Sequence, residues 1–235
     1  MYSSCDVAHG DVVRTERHDM NSPADTETTD TETTNTETTG TASTSAPADP
    51  RPAYAVATSW LTEILRGIHP DHLDAPTPCT GFDVRTLSAH VVGTGRRAVA
   101  LASGVDVTTI PSVADTHDPQ AYADAVAEAI ELWRDDAKLA ALVKVPWGEV
   151  PGAGALWGYV NETMVHAWDL AVATGQPAEG DSDVAAAALV IARQFIPAQI
   201  RDLPDVPFGP VVEPRPDAGP TEQLANWSGR RAWRR

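Results

Sequence analysis

The chain has 235 residues, with 17 Lys and Arg against 33 Asp and Glu, a formal net charge of -16. That balance excludes a general electrostatic footprint for nucleic acid or an anionic membrane, because phosphate binding needs clustered cations. With only 2 cysteines, Cys5 and Cys79, it also excludes a disulfide-dense scaffold and a cysteine-rich zinc module, so a metal site must draw on His and carboxylates.

Residues 1–50 differ in kind from the rest. They hold the tandem pentads DTETT, DTETT and NTETT over Asp25–Thr39 and almost no large apolar side chains. Such a segment cannot bury enough surface to offset its ordering entropy, and it reads as a disordered Thr/Glu-rich tail. Residues 51–235 read as one domain. No apolar run of signal-peptide length opens the chain, and the longest run, Val184–Ala192, is far short of the ~20 residues that span a bilayer. The expectation is a cytoplasmic protein without membrane or nucleic-acid partners, as a monomer or homodimer.

Helical spacing of Trp60, Leu61, Ile64, Leu65 and Ile68 predicts a first helix over Ala53–Ile68, stopped by Pro70. After a Pro/Thr-rich loop, Asp83 is placed to cap a second helix with Val84, Leu87 and Val91 on one face. A third helix is expected over about Pro119–Leu142, with Tyr122, Val126, Ile130 and Trp133 inward. Val143–Pro151 reads as a hairpin turning at Gly148. A fourth helix follows over about Ala155–Thr174, with Gly175 as its C-cap. A fifth runs over Ser182–Arg201 with a kink at Pro197, and the chain closes with an extended segment and a short helix. Long, mostly helical segments give an all-α fold, a helical bundle with minor β.

The fourth helix is apolar nearly all round and so should be buried, yet Glu162 and His166 stand in its middle at i and i+4. Their Cβ atoms lie about 5–6 Å apart. A buried carboxylate and imidazole are costly unless paired or metal-bound. Asp169, three residues on, could orient the imidazole. On the second helix His90 shares the inward stripe of Leu87 and Val91. Two facing helices could bring His90, Glu162 and His166 to one point. Such a His₂Glu set leaves zinc an open position, as catalytic sites do, and would also suit iron or nickel. Spacing leaves open a simple hydrogen-bonded Glu162–His166 pair.

The string TPCTGFDVRTLSAHVVG, Thr77–Gly93, resembles the TPC-x-G-W-x-V-R-x-L-x-x-H-x-x-G segment of a DinB-like actinobacterial family, that of the mycothiol-dependent maleylpyruvate isomerase N-terminal domain. NETMVHAWDLAVATGQP, Asn161–Pro177, resembles its E-x-x-x-H-x-W-D-L-A-x-A-T-G segment. The ending from Pro207 resembles the PFGP…L-x-x-W-x-G-R close of a metal-binding subgroup. The resemblance implies a DinB-like four-helix bundle with a short hairpin and a small C-terminal extension, and metal ligands at His90, Glu162 and His166. Phe82 stands where Trp is usual, and the short ending departs from the isomerase's own C-terminal domain. That departure argues against maleylpyruvate as substrate.

The resemblance further implies thiol chemistry: a divalent metal, zinc first, with mycothiol as co-substrate, and a small electrophile that accepts sulfur or is isomerised. Asp169 is then the orienting residue. Tyr159 lines the pocket, with Trp147 and Trp168 as walls. Cys79 reads as a small buried hydrophobe rather than a ligand, and the arginines at the C-terminus as solvated. A non-catalytic metal- or small-molecule-binding module is the alternative, and a purely structural bundle the third reading.

Overall fold

In the computed structural model the described residues are 49–146, 148–201 and 208–231. The Thr/Glu-rich tail and Trp147 lie outside them. Aspartates set most of the helix starts. Asp49 caps α1 (Pro50–Arg66), Asp83 caps α2 (Val84–Ala102) and Asp118 caps α3 (Pro119–Leu132), each through a carboxylate that accepts a first-turn backbone N–H. At α2 the bond is Thr86 N–H to Asp83 Oδ1, 2.7 Å.

The expected third helix is shorter than its apolar spacing suggested. It stops at Leu132, and Asp135 restarts the backbone as a one-turn helix, α4 (Asp136–Ala140), by accepting from Ala137 N–H. Leu142 then opens a strand. β1 (Leu142–Val145) pairs antiparallel with β2 (Gly148–Pro151), in register Leu142 with Pro151 and Val145 with Gly148. Gly148 holds φ +139°, a conformation that essentially requires glycine.

α5 (Gly152–Thr174) is the central element: every residue from Val160 to Ala171 is buried. Gly175, at φ +74°, ends it in the left-handed conformation of a C-cap glycine. α5 packs on α1 and α2, and both of these pack on α3, so the four helices close into a bundle. α6 (Ser182–Phe195) and α7 (Pro220–Trp227) form a further layer on α5. α6 ends before Pro197 instead of kinking through it. Proline has no N–H to continue the ladder and drives the preceding residue, Ile196, out of helical geometry.

Two apolar clusters fill the interior. One gathers Trp133, Leu156, Trp157, Val160 and Met164; the other gathers Leu65, Leu87, Val91, Tyr122 and Leu170. Along α5 the change from the first to the second falls between Val165 and Ala167, on either side of His166. Among the described residues no helix is long and apolar enough to cross a membrane.

Candidate metal centre

The helical repeat of α2 places His90 on the same buried side as Leu87 and Val91, and the repeat of α5 places Glu162 and His166 one turn apart. Because α2 packs on α5, the three side chains meet. His90 Nε2 lies 3.2 Å from Glu162 Oε1, and His166 Nε2 lies 3.3 Å from the same oxygen. One ligand atom from each residue falls within 4.8 Å of the others, and all three residues are buried. The two imidazoles meet edge to face at 5.1 Å, with the ring of Phe82 5.5 Å from that of His90. Phenylalanine therefore supplies a covering ring at this position.

The far nitrogen of each imidazole is tied off. His90 Nδ1 lies 2.8 Å from the carbonyl oxygen of Ser112, which can only accept, so Nδ1 carries the proton. His166 Nδ1 donates to Asp169 Oδ2 at 3.0 Å. The Nε2 of each ring thus faces Glu162 Oε1, where it can hold either a proton or a metal ion. This is the arrangement of metal-ligating histidines, whose other N–H is usually held by a carbonyl or carboxylate. His166 Nε2 and Glu162 Oε2 are buried without a hydrogen-bond partner among the described residues. Buried polar atoms are rarely left so. Two lone pairs beside a carboxylate call for a proton or a cation between them, so the donor set fits a divalent metal.

The electrostatics agree. Burial pushes the Glu162 carboxyl up, but hydrogen bonds from His166 and His90 outweigh it and hold the group well below the ordinary carboxylate range. Burial pushes His166 down, and its bonds to Asp169 and Glu162 more than reverse that, leaving it above 6.5.

The loop that carries Ser112 is pinned to α2 at several points. Arg97 donates through Nε and Nη2 to the Ile110 carbonyl, at 2.9 and 2.8 Å. Ala114 N–H donates to the Ala89 carbonyl, and Arg96 pairs with Asp115. Gly93 lets the loop approach, since a Cβ there would lie 2.7 Å from the Ser112 carbonyl oxygen.

A narrow crevice reaches Glu162 between α1, α2, α3 and α5, with Tyr54, Thr94, Tyr122 and Thr163 among its walls. Burial raises the pKa of the Tyr122 hydroxyl, a hydrogen bond with Thr163 opposes it, and the hydroxyl stays neutral. Tyr159, expected to line the pocket, is half-buried against the first apolar cluster, and this crevice is walled by other tyrosines. Burial also raises the Tyr159 pKa, partly offset by Arg97. Trp168 is buried.

Cys79 is buried as expected, and among the C-terminal arginines read as solvated Arg230 departs from that reading while Arg231 is exposed. Arg230 is buried, and it donates to Asp169 and to Cys79 Sγ. The W-x-G-R string marked Arg230, but its partners lie in other segments and no local spacing named them.

A sequence profile described as the mycothiol maleylpyruvate isomerase N-terminal domain matches residues 54–171. An uncharacterized protein found in two strains of Mycobacterium tuberculosis is 34% identical over 187 residues, which cover 77% of this chain and 98% of that protein. Among solved structures, a histidine-to-alanine variant of the mycothiol-dependent maleylpyruvate isomerase aligns with a TM-score of 0.53 at 16% identity, covering 66% of this chain and 70% of that one. At that identity the likeness is one of fold.

Proposed function

The chain belongs to the mycothiol maleylpyruvate isomerase N-terminal domain family, and from that premise we propose that it is a metal-dependent enzyme of thiol chemistry. In this reading His90, Glu162 and His166 hold a divalent ion, zinc before nickel or iron. Mycothiol is the co-substrate, and a small electrophile is its partner. The protein works in the cytoplasm, as a monomer or homodimer. The observation that carries the reading is the convergence of two buried imidazole Nε2 atoms on one oxygen of a buried carboxylate, whose second oxygen has no partner among the described residues.

A divalent metal bound there would lower the pKa of a thiol and favour the nucleophilic thiolate. The chain's own residues do the rest. With His90 and His166 contributing neutral nitrogens and Glu162 one negative charge, a divalent ion held there would keep positive character toward an incoming anion. The Ser112 carbonyl and Asp169 fix which nitrogen of each ring faces inward. Leu61 and Val91, the aliphatic part of the crevice wall, help exclude water. Tyr122, which lines the crevice, is the candidate donor for an oxygen of the electrophile. In the transfer, the thiol proton leaves to solvent, the carbon–sulfur bond forms as the π bond of a conjugated C=C breaks, its electron pair moves to the conjugated carbonyl oxygen, and the resulting enolate takes up a proton from solvent at carbon. In isomerisation the enolate instead rotates about the former double bond, the electron pair returns to restore C=C, the carbon–sulfur bond breaks, and the released thiolate takes up a proton.

The test is metal analysis of protein purified without a polyhistidine tag, beside His90→Ala and Glu162→Ala. Near-stoichiometric metal in the wild type, absent from both folded variants, is expected, with conjugation or isomerisation in thiol assays. Metal retained without any thiol affinity would make the protein a binding module. No metal even after reconstitution would sink the reading.

A further inference from the structure

We infer that Arg230, delivered by the C-terminal W-x-G-R segment, is a positioning residue of the metal centre, acting on His166 through Asp169; the inference rests on the metal reading above. Asp169 is fully buried, at 0% exposure. One of its oxygens accepts from His166 Nδ1 at 3.0 Å, and both accept from Arg230 Nε at 3.1 Å. The other arms of the guanidinium are engaged too: Nη1 donates to the Ser228 carbonyl and Nη2 to Cys79 Sγ. The three strings singled out in the sequence thus meet at one fork. Cys79 comes from the first, His166 and Asp169 from the second, and Arg230 from the third.

The local backbone explains how an arginine so near the chain's end comes to be buried. α7 closes in a Schellman turn: Gly229 N–H donates to the Asn226 carbonyl and Arg230 N–H to the Ala225 carbonyl, with Gly229 at φ +89°. The Asn226 side chain accepts no role in the site but donates to the Arg230 carbonyl, fixing the turn. A Cβ at Gly229 would come within 3.2 Å of the Gly209 backbone, so the PFGP segment is packed on the same turn. Arg201 fastens that segment by donating to the carbonyls of Gly209 and Trp227. The ending is therefore a device that turns one guanidinium back into the bundle.

The guanidinium does two things for His166. It holds the Asp169 carboxylate in the orientation that accepts from Nδ1, which leaves Nε2 as the ligand atom. It also offsets the Asp169 charge, so a divalent ion held by His90, Glu162 and His166 would not have to balance a second carboxylate. A buried carboxylate stripped of this partner would be strongly disfavoured and would rearrange.

The experiment compares wild type with Arg230→Met, Arg230→Lys, Asp169→Asn and the Arg230→Met/Asp169→Asn double variant. Arg215→Met serves as control, because it breaks the Arg215–Glu222 pair of the same C-terminal segment without touching Asp169. Circular dichroism checks folding. Zinc affinity is read by competition with a chromophoric chelator. The His166 tautomer is read in the metal-free proteins from imidazole ¹⁵N shifts. Arg230→Met should bind zinc about tenfold or more weaker, the effect usual for outer-shell partners of metal ligands. Its His166 should lose the single Nδ1–H tautomer, and the double variant should bind no worse than Asp169→Asn alone. Arg215→Met should match wild type in both readouts. Wild-type affinity and tautomer in Arg230→Met would overturn the inference, as would an equal loss in Arg215→Met. If Arg230→Met does not fold, Arg230→Lys decides by the same two readouts, since one ammonium cannot replace the fork. The tautomer readout needs no metal. A wild type that binds no zinc would therefore refute the metal reading, while the ¹⁵N shifts still show whether Arg230 positions His166.

Discussion

At Glu162 and His166 burial and charge act against each other, and in both residues charge prevails. The consequence for the metal-free protein has a definite sign. His166 is raised above 6.5, so its contribution to stability is complete below that value and is lost as pH rises through the folded-state pKa. Glu162 is depressed below 4.5, so its contribution is present above 4.5 and is lost as pH falls through its own lower value. The metal-free fold should therefore be most stable between the two and should melt at progressively lower temperature on the alkaline side of 6.5. Zinc has the opposite dependence, because it needs His166 Nε2 without its proton, and its affinity should climb through the same range. Paired melts with chelator and with zinc across pH check both signs, and a metal-free midpoint indifferent to pH would contradict them. These residues were legible in the sequence because the helical repeat alone puts Glu162, His166 and Asp169 on one face. Ser112 and Arg230 were not, since they act across 22 and 61 residues, separations that no local period encodes.

Among the elements, the contact of α2 with the Ser112 loop has the sharpest consequence. A Cβ at Gly93 would lie 2.7 Å from the Ser112 carbonyl oxygen and 2.9 Å from that of Pro111, and backbone atoms do not yield easily. That Ser112 oxygen is the one that holds His90 Nδ1. Gly93→Ala should thus destabilise the fold by about 1–3 kcal/mol, the usual range for overpacking, and weaken zinc binding as well. Gly95→Ala, two residues along the same helix, would meet only side chains, the nearest being the Ala125 Cβ at 3.3 Å, and should leave zinc affinity unchanged. Urea titration and zinc competition on the two variants separate the effects; equal zinc affinities would remove Gly93 from any role in the site. Element boundaries were readable where a cap declares them, as at Asp83 and Gly175. They were misread where apolar spacing continued through a competing signal. Asp135 interrupts the third helix by capping a new turn, and Pro197 terminates α6, because backbone hydrogen bonding overrides hydrophobic period at both places.

For the whole molecule, the centre joins parts of the chain that are far apart in sequence. His90 comes from α2, Glu162 and His166 from α5, and Arg230 reaches Asp169 from beyond α7. The four-helix bundle was visible in the sequence as amphipathic segments, whereas its closure by the C-terminal layer was not, because that layer is fixed by arginines donating to distant carbonyls and carboxylates. A ligand that binds only the assembled site stabilises the fold by mass action, about 2.7 kcal/mol at a hundredfold excess over Kd. In a domain of this size each kcal/mol moves Tm by about 2–4 °C, so zinc at that excess should raise Tm by roughly 5–11 °C, reversed by chelator. His90→Ala should show none of this rise. Arg230→Met, with tenfold weaker binding, should forfeit about 1.4 kcal/mol of it. Calorimetric scans of the three proteins with and without zinc make the comparison. An equal rise in His90→Ala would mean that the ion sits on surface carboxylates of this acidic chain, and the bundle would then owe nothing to a metal.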